Sequence, residues 1–227
     1  MTSVSRARLA RSAMLRLIGG VIVLPALLVL PAGTLAYWQA WVYLAVILIP
    51  MTLTAMYLLV NDPELLERRM RARERDAAQS RIAALGGLVL MIVILVPGFD
   101  RRFGWSAVPV SAVVGADLLV LAGYGLFALV LRENRSASRI IEVEAGQRVV
   151  ASGPYSYVRH PMYLAVLAMG FGTPIALGSW WALIPAPLLI PVLVARIRNE
   201  ERLLTSNLAG YRVYMKMTPC RLIPGIW

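Results

Sequence analysis

Six apolar stretches, near residues 15 to 36, 40 to 60, 82 to 98, 107 to 131, 162 to 178 and 180 to 195, constrain the fold of this chain more than any other feature. About 20 helical residues cross a hydrocarbon core of about 30 Å. Backbone groups in lipid must find partners within their own segment, so such stretches are helices. The last two are short and suit one helical hairpin as well as two full spans. The expected fold is an all-α integral membrane protein with about five to six transmembrane helices. Of 227 residues, 59% are hydrophobic and 15% charged, and mean hydropathy is +0.69. A soluble domain has about 25% charged residues.

A formal charge of +11 would suit a nucleic-acid partner, but the positions of the cations speak for a membrane. Arg6, Arg8, Arg11 and Arg16 precede the first stretch, and Arg68, Arg69, Arg71, Arg73, Arg75 and Arg81 lie in or beside the loop after the second. Arg132, Arg135, Arg139, Arg148 and Arg159 follow the fourth, and Arg196, Arg198, Arg202, Arg212, Lys216 and Arg221 belong to the C-terminal region. Only Arg101 and Arg102 fall on the other side, so 21 of 23 cations agree with one orientation, both termini and all large loops being cytoplasmic. A nucleic-acid partner becomes superfluous.

The Arg-flanked apolar N-terminus resembles a signal peptide with a weak small-residue site at Ala32 to Ala36. Its length and the second stretch that follows at once predict an uncleaved helix instead. Cys220 is alone, which excludes an internal disulfide and a cysteine-built zinc site. His160 is alone as well, so histidine-rich iron sites and His-Glu-x-x-His proteases lack ligands and no metal is expected.

Tyr37-Trp38-Gln39 predicts a tight outer turn between the first two spans. Asn61-Asp62-Pro63-Glu64 reads as an Asp cap with proline at the first helical position, opening a short amphipathic helix on anionic headgroups. Asp117 is an acid well inside an apolar run, either a functional group or a carboxyl paired across a helix contact. Gly115, Gly123 and Gly125 around it suit close helix packing. Ile140 to Glu144 and Gln147 to Val150 are short β-prone pieces with Gly146 at a turn. Gly178-Ser179-Trp180 joins the last two stretches, Pro185, Pro187 and Pro191 predict kinks, and a cytoplasmic helix is expected from Arg196. Residues 1–130 and 131–227 read as N-terminal spans and a C-terminal catalytic region of one compact membrane domain.

Gly153-Pro154-Tyr155-Ser156-Tyr157-Val158-Arg159-His160-Pro161-Met162-Tyr163 packs turn formers, aromatics and the single histidine against an apolar stretch. Pro161 disfavours helix at His160. Irregular backbone at a membrane boundary survives where it is buried or lines a cavity, so a ligand pocket is expected. Glu200-Glu201 lies beyond the last apolar hairpin and returns to the same face. Together the two elements offer an imidazole, phenols, adjacent carboxylates and arginines, groups suited to a zwitterionic cofactor bearing an aromatic ring. A carboxylate can hold an ammonium or ribose hydroxyls, and tyrosine faces attract a sulfonium.

Asn134 to Trp227 resembles the isoprenylcysteine carboxyl methyltransferase family of integral membrane enzymes and, more distantly, phospholipid N-methyltransferases. The resemblance rests on Gly153-Pro154-Tyr155, Arg159-His160-Pro161-Met162-Tyr163, Arg198 with Glu200-Glu201 and Leu204, Gly210-Tyr211 with Tyr214, and Arg221-Leu222-Ile223-Pro224-Gly225. It implies methyl transfer from S-adenosylmethionine held in a cytoplasmic pocket of the C-terminal half, to a lipidic or prenylated acceptor arriving from the bilayer. Carried over by position, Tyr155, Arg159, His160, Pro161, Tyr163, Glu200 and Glu201 bind the cofactor. Arg221, Arg198 or Arg202 orients an acceptor carboxylate, Arg221 being preferred, and Glu201 serves catalysis too. All but one of the 23 cationic side chains are arginine, which suggests a bacterial protein of the inner membrane. Amine and thiol acceptors are alternatives. Another class is an NADPH-dependent membrane reductase, although no Gly-x-Gly-x-x-Gly fingerprint follows a strand.

Overall fold

The computed structural model describes residues 3–70, 77–136 and 147–227, with side chains described from residue 7 in the first stretch and residue 79 in the second. The helices are α1 (Ser3–Ala32), α2 (Trp38–Asn61), α3 (Pro63–Met70), α4 (Ala77–Phe103), α5 (Val110–Glu133), α6 (Pro161–Ala176), α7 (Leu189–Asn207) and α8 (Tyr211–Met217). Short 3-10 turns lie at Gly153–Ser156, Trp181–Leu183 and Ala186–Leu188. No strand occurs among the described residues, and Gln147 to Val150 is irregular. The pieces expected at Ile140 to Glu144 and at Gly146, together with Arg71, Arg73, Arg75 and Arg139, lie outside the described residues.

Five segments are long and apolar enough to cross a membrane: Ala7–Ala32, Trp38–Asn61, Gln79–Phe103, Val110–Glu133 and Trp181–Asn207. Their outer faces expose large side chains such as Ile22, Leu30, Leu53, Val60, Leu88 and Leu118. A soluble monomer rarely shows apolar surface on that scale, and the chain is an integral membrane protein.

Several boundaries differ from expectation. Helix α1 begins at Ser3 and ends at Ala32, because its Arg-rich start continues as helix without a break. The turn between α1 and α2 falls at residues 33–37, with Trp38 already helical. Pro185 and Pro187 do not kink a long helix; they sit in or beside the 3-10 turns, and α7 starts only at Leu189, with Pro191 in its first turn. Proline lacks the amide that a helix interior needs but is tolerated in a first turn. Arg196 lies inside this continuous helix rather than at its start.

The bundle is held at three levels. At one end, Asp100 accepts from the Ser106 amide (2.7 Å) and hydroxyl (2.6 Å) and from the Ser179 hydroxyl. The Tyr37 hydroxyl donates to the Leu177 carbonyl at 2.6 Å. These bonds tie the end of α4 and the turn before α2 to the connection after α6. In the middle, α6 lies close along α5. A Cβ at Gly123 would stand 3.2 Å from the Ala165 carbonyl, and one at Gly172 would stand 2.8 Å from Val120 Cγ2. Small residues permit such approach where lipid supplies no hydrophobic drive between helices. Gly115 and Gly125 do not serve this contact: nothing lies within 4 Å of a Cβ at either.

At the Arg-rich end, Asp62 Oδ1 accepts the Leu65 amide at 3.1 Å, and Pro63 takes the first helical position of α3. These are the cap and opening that the sequence predicts. The apolar face of α3, Leu65 and Leu66, packs on Leu9, Ala13, Leu58 and Leu131, so protein rather than headgroup covers it. A further core joins Val89 and Val93 of α4, Leu167 of α6 and Leu189, Leu193 and Ile197 of α7. This core sets the pitch of α7, one turn before Glu201, and so brings the two glutamates to the level of His160.

Candidate active site

Local chemistry makes the irregular segment before α6. Gly153 has φ +56, and a Cβ there would lie 2.8 Å from Glu133 Cγ, so both conformation and contact require glycine. Ser152 Oγ donates to Glu133 Oε2 at 3.0 Å. Asn134 Nδ2 donates to the Tyr155 hydroxyl at 2.9 Å, pinning the segment to the end of α5. The Tyr214 hydroxyl of α8 donates to the Tyr155 carbonyl at 2.7 Å. His160 adopts φ −125, ψ 59, outside the helical region, immediately before Pro161, as proline demands of its predecessor. The Arg159 and His160 amides, left without helical partners, donate to the carbonyls of Cys220 (3.0 Å) and Arg221 (2.9 Å).

This backbone pairing lays the C-terminal segment across the end of α7, with the Glu201 carboxylate at the centre. Arg159 Nε donates to Oε1 at 2.8 Å, Arg221 Nε donates to Oε2 at 2.8 Å, and His160 Nε2 stands 3.3 Å from Oε1. The Arg159 and Glu201 side chains are only 4% and 8% exposed, so the pair is withdrawn from water and must be satisfied internally. Arg159 also donates to the carbonyls of Thr218 and Pro219, each at 2.9 Å. Arg221 is one-third exposed and its guanidinium lies 5.2 Å from the Trp227 ring centroid.

Glu200 forms the second half of the cluster. Its Oε2 accepts the Tyr163 hydroxyl at 2.7 Å and lies 3.9 Å from His160 Nδ1, while Arg196 Nε donates to the same tyrosine at 3.0 Å. The imidazole therefore sits between two neighbouring carboxylates. Tyr155, Tyr211 and Tyr214 pack with Val149, Leu204 and Leu208 beside them. Burial pushes the Tyr214 phenol up to about 12. Burial, together with Glu200 and Glu201, raises Tyr211 further, so at neutral pH these are hydroxyl donors. Among the described residues, the buried Tyr211 hydroxyl has no hydrogen-bond partner.

The structure thus brings Tyr155, Arg159, His160, Pro161, Tyr163, Glu200, Glu201 and Arg221 together. Arg198 and Arg202 are exposed on α7, off the buried stripe of Leu193, Ile197 and Glu201. Sequence reasoning missed Arg196, Asn134 and the orphan hydroxyl of Tyr211. Arg196 had a signal: it stands four residues before Glu200, on one helix face. Asn134 had none that local sequence carries. Asp117 is buried in α5, and among the described residues neither of its carboxylate oxygens has a hydrogen-bond partner.

The fold and cluster define a helical membrane protein with a buried carboxylate, imidazole and guanidinium centre at one end of its bundle. Residues 114–206 match the model of the Isoprenylcysteine carboxyl methyltransferase (ICMT) family. The match runs from α5 through α7 and contains His160, Glu200 and Glu201 but not Tyr211 or Arg221. The matched stretch, less than half of the chain, likens it to a family of membrane methyltransferases. None of the curated proteins compared with the chain matches it.

Proposed function

We propose that this chain is an S-adenosylmethionine-dependent methyltransferase that esterifies the carboxylate of an isoprenylcysteine-like or other lipidic acceptor. The convergence of Arg159-His160-Pro161 with Glu200-Glu201, near a Tyr211 hydroxyl that has no partner among the described residues, carries the proposal. The residues fit the cofactor: carboxylates for an ammonium or ribose hydroxyls, an unused phenol donor for a carboxylate, and tyrosine faces for a sulfonium. When bound, S-adenosylmethionine supplies a methyl group on a positively charged sulfur.

The residues then divide the work. Tyr155, His160, Pro161, Tyr163, Glu200, Glu201 and Tyr211 hold the cofactor. Arg159 is a positioning residue, its Nε donating to Glu201 and its Nη1 to the carbonyls of Thr218 and Pro219. Arg221 presents a guanidinium to the acceptor carboxylate from the side away from Glu201. A carboxylate acceptor arrives already anionic and needs no general base, so the protein contributes alignment and exclusion of water. This suits an imidazole held between two carboxylates rather than freed to shuttle protons.

Equilibrium titration of the detergent-purified protein tests the reading. S-adenosylmethionine is expected to bind and NADPH not to. His160→Ala is expected to weaken binding at least tenfold, about 1.4 kcal/mol. Tyr211→Phe should weaken binding by a similar factor with unfolding unchanged, because the hydroxyl it removes has no partner among the described residues. Tight NADPH binding, or cofactor affinity indifferent to both changes, removes the assignment.

We further propose that the Arg-rich end faces the cytoplasm of a bacterial inner membrane, where the cofactor is made, on the strength of the arginine distribution. Single cysteines at Gln147 and near Arg101 are expected to label from the cytoplasmic and outer sides respectively. The reverse pattern rejects the orientation.

A further inference from the structure

At the Arg-rich end a groove of about 460 Å³ lies between α2 and α5. Leu53, Leu58, Ala128 and Leu129 give it an apolar lining, and Asn61, Asp62, Arg132 and Arg135 line its polar end. A Cβ at Gly125, which also lines the groove, would meet nothing within 4 Å. The bundle therefore leaves room here for something from the bilayer.

The charges at the polar end are layered. Arg135 Nε lies 3.4 Å from Asp62 Oδ2, and Arg132 lies 4.0 Å from Glu133 Oε1. The two acids are 18% and 28% exposed, and the two arginines 80% and 69% exposed. Both acids also have work inside the protein, Asp62 capping α3 and Glu133 holding Ser152. What the polar end shows outward is guanidinium, at the level where a leaflet places its phosphates.

We propose that this groove binds an anionic phospholipid, one acyl chain between α2 and α5 and the phosphate on Arg132 and Arg135. Guanidinium pairs bind phosphate bidentately, and basic pockets between transmembrane helices select anionic headgroups. The site adjoins the catalytic segment without belonging to it. Asn134, between the two arginines, donates to the Tyr155 hydroxyl, so an occupied groove buttresses the segment that carries His160.

The test uses the full chain, delipidated in neutral detergent and titrated with phosphatidylglycerol, with phosphatidylcholine of the same chains, and with inorganic phosphate. Thermal unfolding and native mass spectrometry are the readouts. Phosphatidylglycerol is expected to raise the unfolding midpoint by several degrees and to be retained at least tenfold over phosphatidylcholine. Arg132→Gln with Arg135→Gln should abolish the preference. Because Arg135 also pairs with Asp62, Gly125→Leu provides a second variant that fills the groove and leaves every charge in place; it should lower retention at least fivefold. Equal retention of both lipids, full stabilisation by inorganic phosphate alone, or unchanged retention in Gly125→Leu overturns the proposal. So does a second copy of the chain covering the groove, seen as a cross-linked dimer in place of bound lipid.

Discussion

Glu201→Ala is expected to destabilise the protein by about 3–5 kcal/mol, the range for removing one partner of a buried ion pair. The side chain faces two guanidiniums and an imidazole. Without it, Arg159 keeps its charge in a site only 4% exposed, and the carbonyls of Thr218 and Pro219 cannot neutralise it. The loss is also expected to loosen the C-terminal segment, since Arg159 joins α7 to residues 218–219. Unfolding of wild type, Glu201→Ala, Arg159→Ala and the double variant in mixed micelles measures the effect. The double variant should cost less than the two singles together, by 0.5–3 kcal/mol as contacting residues commonly do. A single-variant cost under about 1 kcal/mol, or strict additivity, would show that Glu201 is not the hub of the cluster.

The second large effect concerns Arg221 and rests on the proposed acceptor carboxylate. Arg221→Met is expected to slow methyl transfer to a prenylcysteine analogue by about 100-fold, the scale at which lost alignment acts. Cofactor affinity should fall much less. Arg221→Lys should not restore the rate, because an ammonium reproduces neither the planar fork that grips a carboxylate nor the stacking on Trp227. Steady-state kinetics with carboxylate, amine and thiol acceptors separate the possibilities. If transfer to an amine falls as far as transfer to the carboxylate, Arg221 supports the fold of the site and does not orient the acceptor.

Much of this architecture could be read directly from the chain. Hydropathy placed four full spans and a shorter final pair, because the cost of burying a side chain in lipid is set residue by residue. Pro161 foretold a non-helical His160, and Asp62-Pro63 foretold the start of α3, because caps and proline act over one to four residues. The Gly153 to Tyr163 segment and Glu200-Glu201 were recognisable as two halves of one site, because both border the final hairpin on the same side. Boundaries were less legible. Nothing local announces that α1 begins at Ser3, or that α7 waits until Leu189 behind two 3-10 turns.

Which groups meet inside the site was not readable, and distance along the chain is the reason. Arg159 and Glu201 are 42 residues apart and Tyr214 and Tyr155 are 59 apart; no short-range rule couples them. Three arginines were candidates, with Arg221 preferred, yet only the pairing of residues 159–160 with 220–221 turns Arg221 onto Glu201, while Arg198 and Arg202 stay on the exposed side of α7. The orphan hydroxyl of Tyr211 and the groove beside Gly125 belong to the same class. Each is defined by what neighbouring helices fail to fill, and a void or a missing partner exists only once every other side chain has its place.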